Sequence, residues 1–394
     1  MKKIIFIDFK LLKNISNIEL KFNRPNNEKK IRDVPKNQTY FTILNYNNKY
    51  YLFYKDKPDK NHKIYNHVDF FGGDLTYYER SKIPINFGNK KLIIEDPVIS
   101  HNIVPFHDRK DEIKLVGGLH WSKYTYDKKV INKRDIFIDY NKSKIANPKV
   151  KLNDIKCNGI YLFNFHDGKI KFVQDLPIIN GTHKGLVNKR EGQVISEFDG
   201  RSIIVYFKNK YFIYLRSNLR VADGSVGFSD NKKKTSIKGG GVRGVQYATS
   251  DDCRNWSEFK FININFDYKR DNIYFFGVQR YTDDILVSTF PYSNGKEGFI
   301  GISFSYDGIN WTKITKLIDS KMSKTNIDRI IDFSIHQIIN YNKKMLFYIH
   351  RNYIWWEAKD HKNYISCMEL EEDRLTNIYS EDGEFSIQLS NINN

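Results

Sequence analysis

The sequence is short of the residues that most cheaply betray a function. Its three cysteines, Cys157, Cys253 and Cys367, are odd in number and far apart in a chain of 394 residues. That excludes a disulfide framework and a paired-cysteine metal or redox site, and leaves reduced structural thiols as the expectation. His183, His336 and His350 show no metal-ligand spacing, so neither a zinc site nor a cofactor is expected. No run approaches the roughly 18 apolar residues of a transmembrane helix, so no membrane insertion is expected. The N-terminus opens like a secretory signal, with Lys2 and Lys3, but Asp8 and Lys10 break the apolar run and no small-residue cleavage site follows. Lys2 to Phe9 is therefore read as a first strand of a soluble chain made without secretion, cytoplasmic or carried on a particle such as a virion. Acidic residues are in deficit too: 64 Lys and Arg face 46 Asp and Glu, a formal net charge of +18. Such a charge attracts polyanions at long range. The lysines, however, are spread along the whole chain and only Lys232-Lys233-Lys234 forms a dense run, so the charge reads as solvated surface and nucleic acid is not the expected partner.

What the chain has is aromatic residues. Phe (28) and Tyr (26) bring the aromatic fraction to 15% within a hydrophobic total of 40%, enough to bury a sizeable core. They sit with Ile and Val in short runs bounded by Asn, Asp, Gly and Lys, while proline and alanine are scarce, which favours strands over helices. Three segments repeat one hairpin: FTILNYNNKYYLFY from Phe41 to Tyr54, SIIVYFKNKYFIYL from Ser202 to Leu215, and QIINYNKKMLFYI from Gln337 to Ile349. Each joins two apolar strands by a polar turn carrying Asn, which tolerates the positive φ of two-residue hairpin turns. Asn102 to Gly117 and Asp284 to Ser305 have the same shape with other turn residues.

The five hairpins begin near residues 39, 102, 198, 284 and 334, a spacing that accommodates a four-stranded blade with its loops. The length fits two average domains or one large β domain. The pattern predicts the latter, a single all-β five-bladed β-propeller over residues 1–394. Each hairpin supplies the two inner strands of a blade, Arg243 to Ala248 and Lys260 to Ile264 lie outside, and Lys2 to Phe22 gives the outer strand that closes the ring. A β-sandwich is the competing architecture; wide insertions between repeated hairpins favour the propeller. Lys238-Gly239-Gly240-Gly241 lacks the Gly-Lys-Ser/Thr ending of a phosphate loop and reads as a flexible basic loop.

The sharpest local signal is Ser305-Tyr306-Asp307-Gly308-Ile309-Asn310-Trp311, with a second copy in Ser250-Asp251-Asp252-Cys253-Arg254-Asn255-Trp256. Both resemble the Asp-box turn of sialidases and related carbohydrate-active propellers. The logic is structural: the Asp caps backbone N–H groups, a tolerant residue takes the unusual φ, and the Trp packs beneath the next strand. Asp252, Asp307, Trp256 and Trp311 are accordingly assigned to turn formation. Phe165-His166-Asp167-Gly168, with Phe172 in place of the Trp, is a degraded third copy.

A wider resemblance covers residues 95 to 315. It is carried by the order Asn102 to Asp108, Gly117-Gly118, Asp167-Gly168, Phe198-Asp199, Tyr214-Leu215-Arg216 and Arg243-Gly244-Val245-Gln246. This succession resembles predicted glycoside-hydrolase propellers similar to the five-bladed arabinanases, invertases and mannoside phosphorylases. The resemblance implies a central funnel with acidic residues at the starts of the innermost strands, acting as a pair of carboxylates. Asp199 is then the first catalytic candidate, with Glu191, Asp96 or Asp284 as its partner. Glu95-Asp96-Pro97 resembles the acidic-Asp-Pro signature of the phosphorylases and arabinanases. The chain departs from the family after Asp199, where Gly200, Arg201 and Ser202 replace Ser and Gln-Asn, and no general-acid Glu is placed in the fourth blade.

Arg216 and Arg243 flank the long basic loop and are candidates to bind a substrate hydroxyl or carboxylate, or to pair with structural aspartates. Asn102 joins them as a substrate-binding candidate through the resemblance. His120-Trp121 offers a flat sugar platform or a packing pair, and Trp355-Trp356 a binding patch or a core rim. Three functions stand side by side: a carbohydrate-active propeller capable of hydrolysis, a noncatalytic glycan-binding or structural interaction propeller, and, on charge alone, a nucleic-acid-binding propeller. A carbohydrate ligand is the expected partner; no metal is implied.

Overall fold

The computed structural model describes residues 12–16, 19–35, 37–57, 75–95, 100, 102–119, 159–174, 177–179, 200–219, 242–267, 271–323, 330–353, 362–379 and 386–389. These form strands and connecting turns, with no helix among the described residues. None is therefore long and apolar enough to cross a membrane. The strands run in chain order as β1 (Leu12–Ser16), β2 (Glu19–Phe22) and β3 (Asn26–Asp33), followed by five consecutive antiparallel meanders. The first comprises β4 (Thr39–Tyr46), β5 (Lys49–Asp56), β6 (Leu75–Ser81) and β7 (Lys91–Ile94); the second β8 (Val104–His107), β9 (Ile113–Leu119), β10 (Gly159–His166) and β11 (Lys169–Phe172). The third comprises β12 (Ile203–Phe207), β13 (Lys210–Leu219), β14 (Val242–Ser250) and β15 (Lys260–Phe261). The fourth begins with two short strands, β16 (Asn272–Ile273) and β17 (Gly277–Arg280), both paired to β18 (Leu286–Ser293), and continues through β19 (Gly298–Ser305) to β20 (Thr315–Asp319). The fifth runs β21 (Phe333–Tyr341), β22 (Lys344–Arg351) and β23 (Tyr364–Glu371), and β24 (Thr376–Tyr379) and β25 (Ser386–Leu389) follow.

The meanders close into a ring, the architecture of a β-propeller. Their leading strands touch in sequence, β4 against β8, β8 against β12, β12 against β17 and β17 against β21. A parallel bridge from His336 to Thr42 then returns β21 to β4. The apolar core follows the same circle. In β5, Tyr51 and Phe53 face the second meander with Leu115, Tyr161 and Phe163, while Leu52 and Tyr54 face the fifth with Leu346 and Tyr348. Alternate side chains of a strand point to opposite faces, so a middle strand covered on both faces must be apolar throughout. β18 and β19 are buried at every position. The outer strand β3 is exposed at most of its positions.

The three Asn-bearing hairpins turn as their sequences require. Asn47-Asn48, Lys208-Asn209 and Asn342-Lys343 all take positive φ, between 48° and 63°, and the flanking pairs Tyr46–Lys49, Phe207–Lys210 and Tyr341–Lys344 fix two-residue loops. Two expectations are corrected. The outer strand of the fifth meander is β3, paired to β23, whereas β1 and β2 pair with β25 and β24; Lys2–Phe9 lies outside the described residues. In the fourth meander the hairpin β18–β19 is the middle pair, and the short β17 takes the innermost place. Ion pairs fasten the closing strand on both sides. Arg32 of β3 donates to both oxygens of Glu79 in the first meander (2.8 and 2.9 Å), and Arg351 of the fifth grips Glu28 of β3 (2.8 and 2.9 Å).

Candidate functional site

The leading ends of the innermost strands bring together residues from four meanders. Tyr40 opens β4, Arg201 precedes β12, Tyr274 and Phe275 precede β17, Phe333 begins β21 and Tyr353 follows β22. The rings pack edge and face in a continuous group: Phe275 lies 4.5 Å from Tyr274, 5.6 Å from Tyr40 and 5.5 Å from Phe333, and Phe333 lies 4.1 Å from Tyr353. Phe275 and Phe333 are buried, whereas Tyr40, Tyr274 and Tyr353 keep part of their faces open. The result is a cluster of aromatic rings, three of them partly exposed, suited to an amphipathic ligand.

Guanidinium groups stack on these rings. Arg201 lies 5.1 Å over Phe275, and Arg216 and Arg243 lie 5.3 and 5.0 Å over Tyr274. Each such contact is worth roughly 2 kcal/mol when desolvated. The backbone locks them in place: Arg201 Nη2 donates to the Phe41 carbonyl (2.7 Å), Gln246 Nε2 to the Arg216 carbonyl (3.0 Å), and the Arg243 amide to Asn272 Oδ1 (2.8 Å). Gly200 approaches Arg216 so closely that a Cβ there would meet Arg216 Cβ at 3.1 Å. Beneath the rings, burial pushes His336 and His350 down to about 3, and the Arg201 charge acts in the same direction. Both are neutral at physiological pH, with His350 hydrogen-bonded to Asn363.

The candidates named from sequence separate into three groups. Asp199, Glu191, Asp96, His120, Trp121, Trp355 and Trp356 lie outside the described residues, as do Cys157, His183, Lys232 to Lys234 and Lys238 to Gly241. Arg216 and Arg243 meet at Tyr274. Asn102 is buried at the start of β8 with φ 57°, and no described contact joins it to the ring group. Asp284 is exposed in the turn between β17 and β18, where its amide bonds Thr282 Oγ1. This turn follows the end of the innermost strand, so Asp284 sits away from the leading ends where the rings and arginines gather. The described acids near those ends are engaged elsewhere. Asp332 accepts from Arg351 (2.9 Å), Ser320 (2.8 Å) and the Asn352 amide (2.8 Å), and Asp271 from Tyr292 (3.0 Å) and the Asp267 amide (2.8 Å). No cluster of His, Cys, Asp and Glu suited to a metal occurs among the described residues.

Asp252 and Asp307 occupy equivalent turns after the third strands of their meanders. Asp307 Oδ1 accepts from the amides of Ile309 (2.8 Å) and Asn310 (2.7 Å) and from Ser305 Oγ (3.1 Å); Asp252 Oδ1 does the same with Arg254, Asn255 and Ser250. Burial alone would raise the Asp252 carboxyl, but these bonds hold it down at about 2. Trp311 packs edge-on against Phe276 at 4.8 Å, and Trp256 against the same core. The residues that sequence reading missed are Tyr40, Arg201, Tyr274, Phe275, Phe333 and Tyr353. A usable signal was the position of the Ser-x-Asp turn, which follows a third strand. Counting back from Ser305 makes β18 a second strand and directs attention to Tyr274-Phe275 ahead of the true first one.

No family model and no curated protein matches the chain. Solved structures that align with it include a glycoside hydrolase (TM-score 0.46, 11% identity, covering 92% of this chain and 94% of that one). A protein of unknown function from Dyadobacter fermentans aligns with TM-score 0.44 and 12% identity over 90% of this chain and 99% of its own. An alpha-L-arabinanase from Penicillium chrysogenum, complexed with arabinobiose, gives 0.44 and 9% over 91% and 99%. At these values the fold stands on the chain's own strand order.

Proposed function

We propose that the protein is a carbohydrate-binding propeller, with its five meanders as blades around one axis and its ligand held at the leading ends of the innermost strands. The observation that carries this reading is the ring group of Tyr40, Tyr274 and Tyr353, each partly open, with Arg201 stacked on Phe275 and Arg216 and Arg243 on Tyr274. A pyranose has an apolar face that a ring covers and hydroxyls that fixed donors reach. The turns of Asp252 and Asp307 serve as Asp boxes that brace the fold, away from the ligand.

Screening the full chain on an oligosaccharide array, followed by calorimetry, tests the reading. Tyr274→Ala is expected to weaken binding about tenfold or more, through loss of a ring face and of the support beneath two arginines. Retention of no glycan, or equal binding by the variant, would contradict it. Hydrolysis is the finer form of the same proposal and needs a carboxylate pair. Asp199 with Glu191 or Asp96 is the pair to assay. Turnover abolished by Asp199→Asn with binding retained supports catalysis; binding without any turnover in the parent chain makes the protein a lectin-like module.

A further inference from the structure

We propose that the glycan is acidic, with a carboxylate on one of its sugar rings, and that Arg201 sets that preference. The inference deepens the carbohydrate-binding reading and rests on it. Arg201 is only 6% exposed. A guanidinium taken from water needs compensation from an anion or from several acceptors. Here Nη2 has the Phe41 carbonyl, the cation has the face of Phe275, and Nε has no hydrogen-bond partner. No carboxylate among the described residues pairs with Arg201. The charge is nevertheless retained: burial lowers its pKa to about 10, well above neutrality.

The surroundings reinforce that charge. Arg216 and Arg243 converge on Tyr274, whose ring adjoins Phe275 beneath Arg201. Among the described residues, His336 and His350 face the Arg201 charge and are held neutral by burial and by Arg201 itself. Among the described residues, the other ionisable groups that act on it are Tyr40 and Tyr353, both phenols. Guanidinium groups only donate, so donors dominate the polar complement of this group. A neutral sugar presents hydroxyls that must both donate and accept, whereas a carboxylate only accepts and fits the planar fork of an arginine in two parallel bonds. The chemistry on display therefore fits a uronate-type ring better than a neutral one.

The test compares oligosaccharides containing glucuronic or galacturonic acid with the same oligosaccharides after reduction of their carboxyl groups to primary alcohols. The acidic forms are expected to bind about tenfold more tightly, as suits a charge-assisted pair, and the gap should narrow with added salt. In Arg201→Gln the gap between the acidic and reduced forms should fall to about twofold or less. If Arg201→Gln does not fold, the comparison of the acidic and reduced forms on the parent chain stands by itself. Equal binding of the two forms overturns the inference and leaves the glycan reading intact. Binding of neither overturns both. Preference for a single-stranded oligonucleotide over every glycan also overturns both, since stacked bases would then be the partners of the rings.

Discussion

The rim carboxylates Asp252 and Asp307 and the central cations Arg201, Arg216 and Arg243 are handled in opposite ways. Each rim carboxylate is satisfied within its own turn, by amides two and three residues ahead and a serine two residues behind. Such charges close a local account and have nothing left to offer a ligand. The arginines instead stack on rings that come from elsewhere in the chain, and Arg201 also reaches the Phe41 carbonyl, 160 residues away. A cation assembled over that distance is supported by the whole ring of meanders. On the proposed function, the contrast separates charge that serves the fold from charge that serves binding.

Acid should break the central region first and with the largest effect. His336 and His350 have folded pKa values near 3 against an ordinary 6.5, so the unfolded state binds more protons and stability falls as pH drops below 6.5. The loss is on the order of 3 kcal/mol per histidine by pH 4. Urea titrations at pH 7, 5.5 and 4 check it; replacing His350 by Asn should flatten the profile. Next in size is the rim. Asp307→Ala strips two amides and a serine of their acceptor and should cost about 2 kcal/mol, with no change in glycan affinity. Gly308→Ala should cost about 1 to 2 kcal/mol, because Gly308 sits at φ 79° and a Cβ would meet Phe212 at 2.8 Å. The smallest effect sharpens the comparison most. Arg201→Met, which keeps the stem and removes the buried cation, should leave stability unchanged or raise it by about 1 kcal/mol, as calorimetric melting would show, while binding suffers.

The propeller class was legible because three hairpins carry turn residues that accept positive φ, and because strands covered on both faces read as unbroken apolar runs. Two features were not. The closing strand, NNEKKIRD, looks like a loop since it is exposed along most of its length and lacks apolar alternation. The innermost strand of the fourth meander is only four residues long, Gly277–Arg280, and hides beside a longer and more apolar hairpin. Of the ring-and-arginine group, Arg216 and Arg243 were visible as arginines flanking a long loop. Tyr40, Arg201, Tyr274, Phe333 and Tyr353 were not, because each precedes or follows a strand in a different part of the chain and only ring closure makes them neighbours.

The most direct measurement is a crystal structure of the protein with an oligosaccharide that it retains from the array. The account predicts a sugar ring stacked on Tyr274 or Tyr353, with its polar substituents facing Arg201, Arg216 and Arg243. A sugar bound on the rim, or on the opposite face near Asp284, would contradict it.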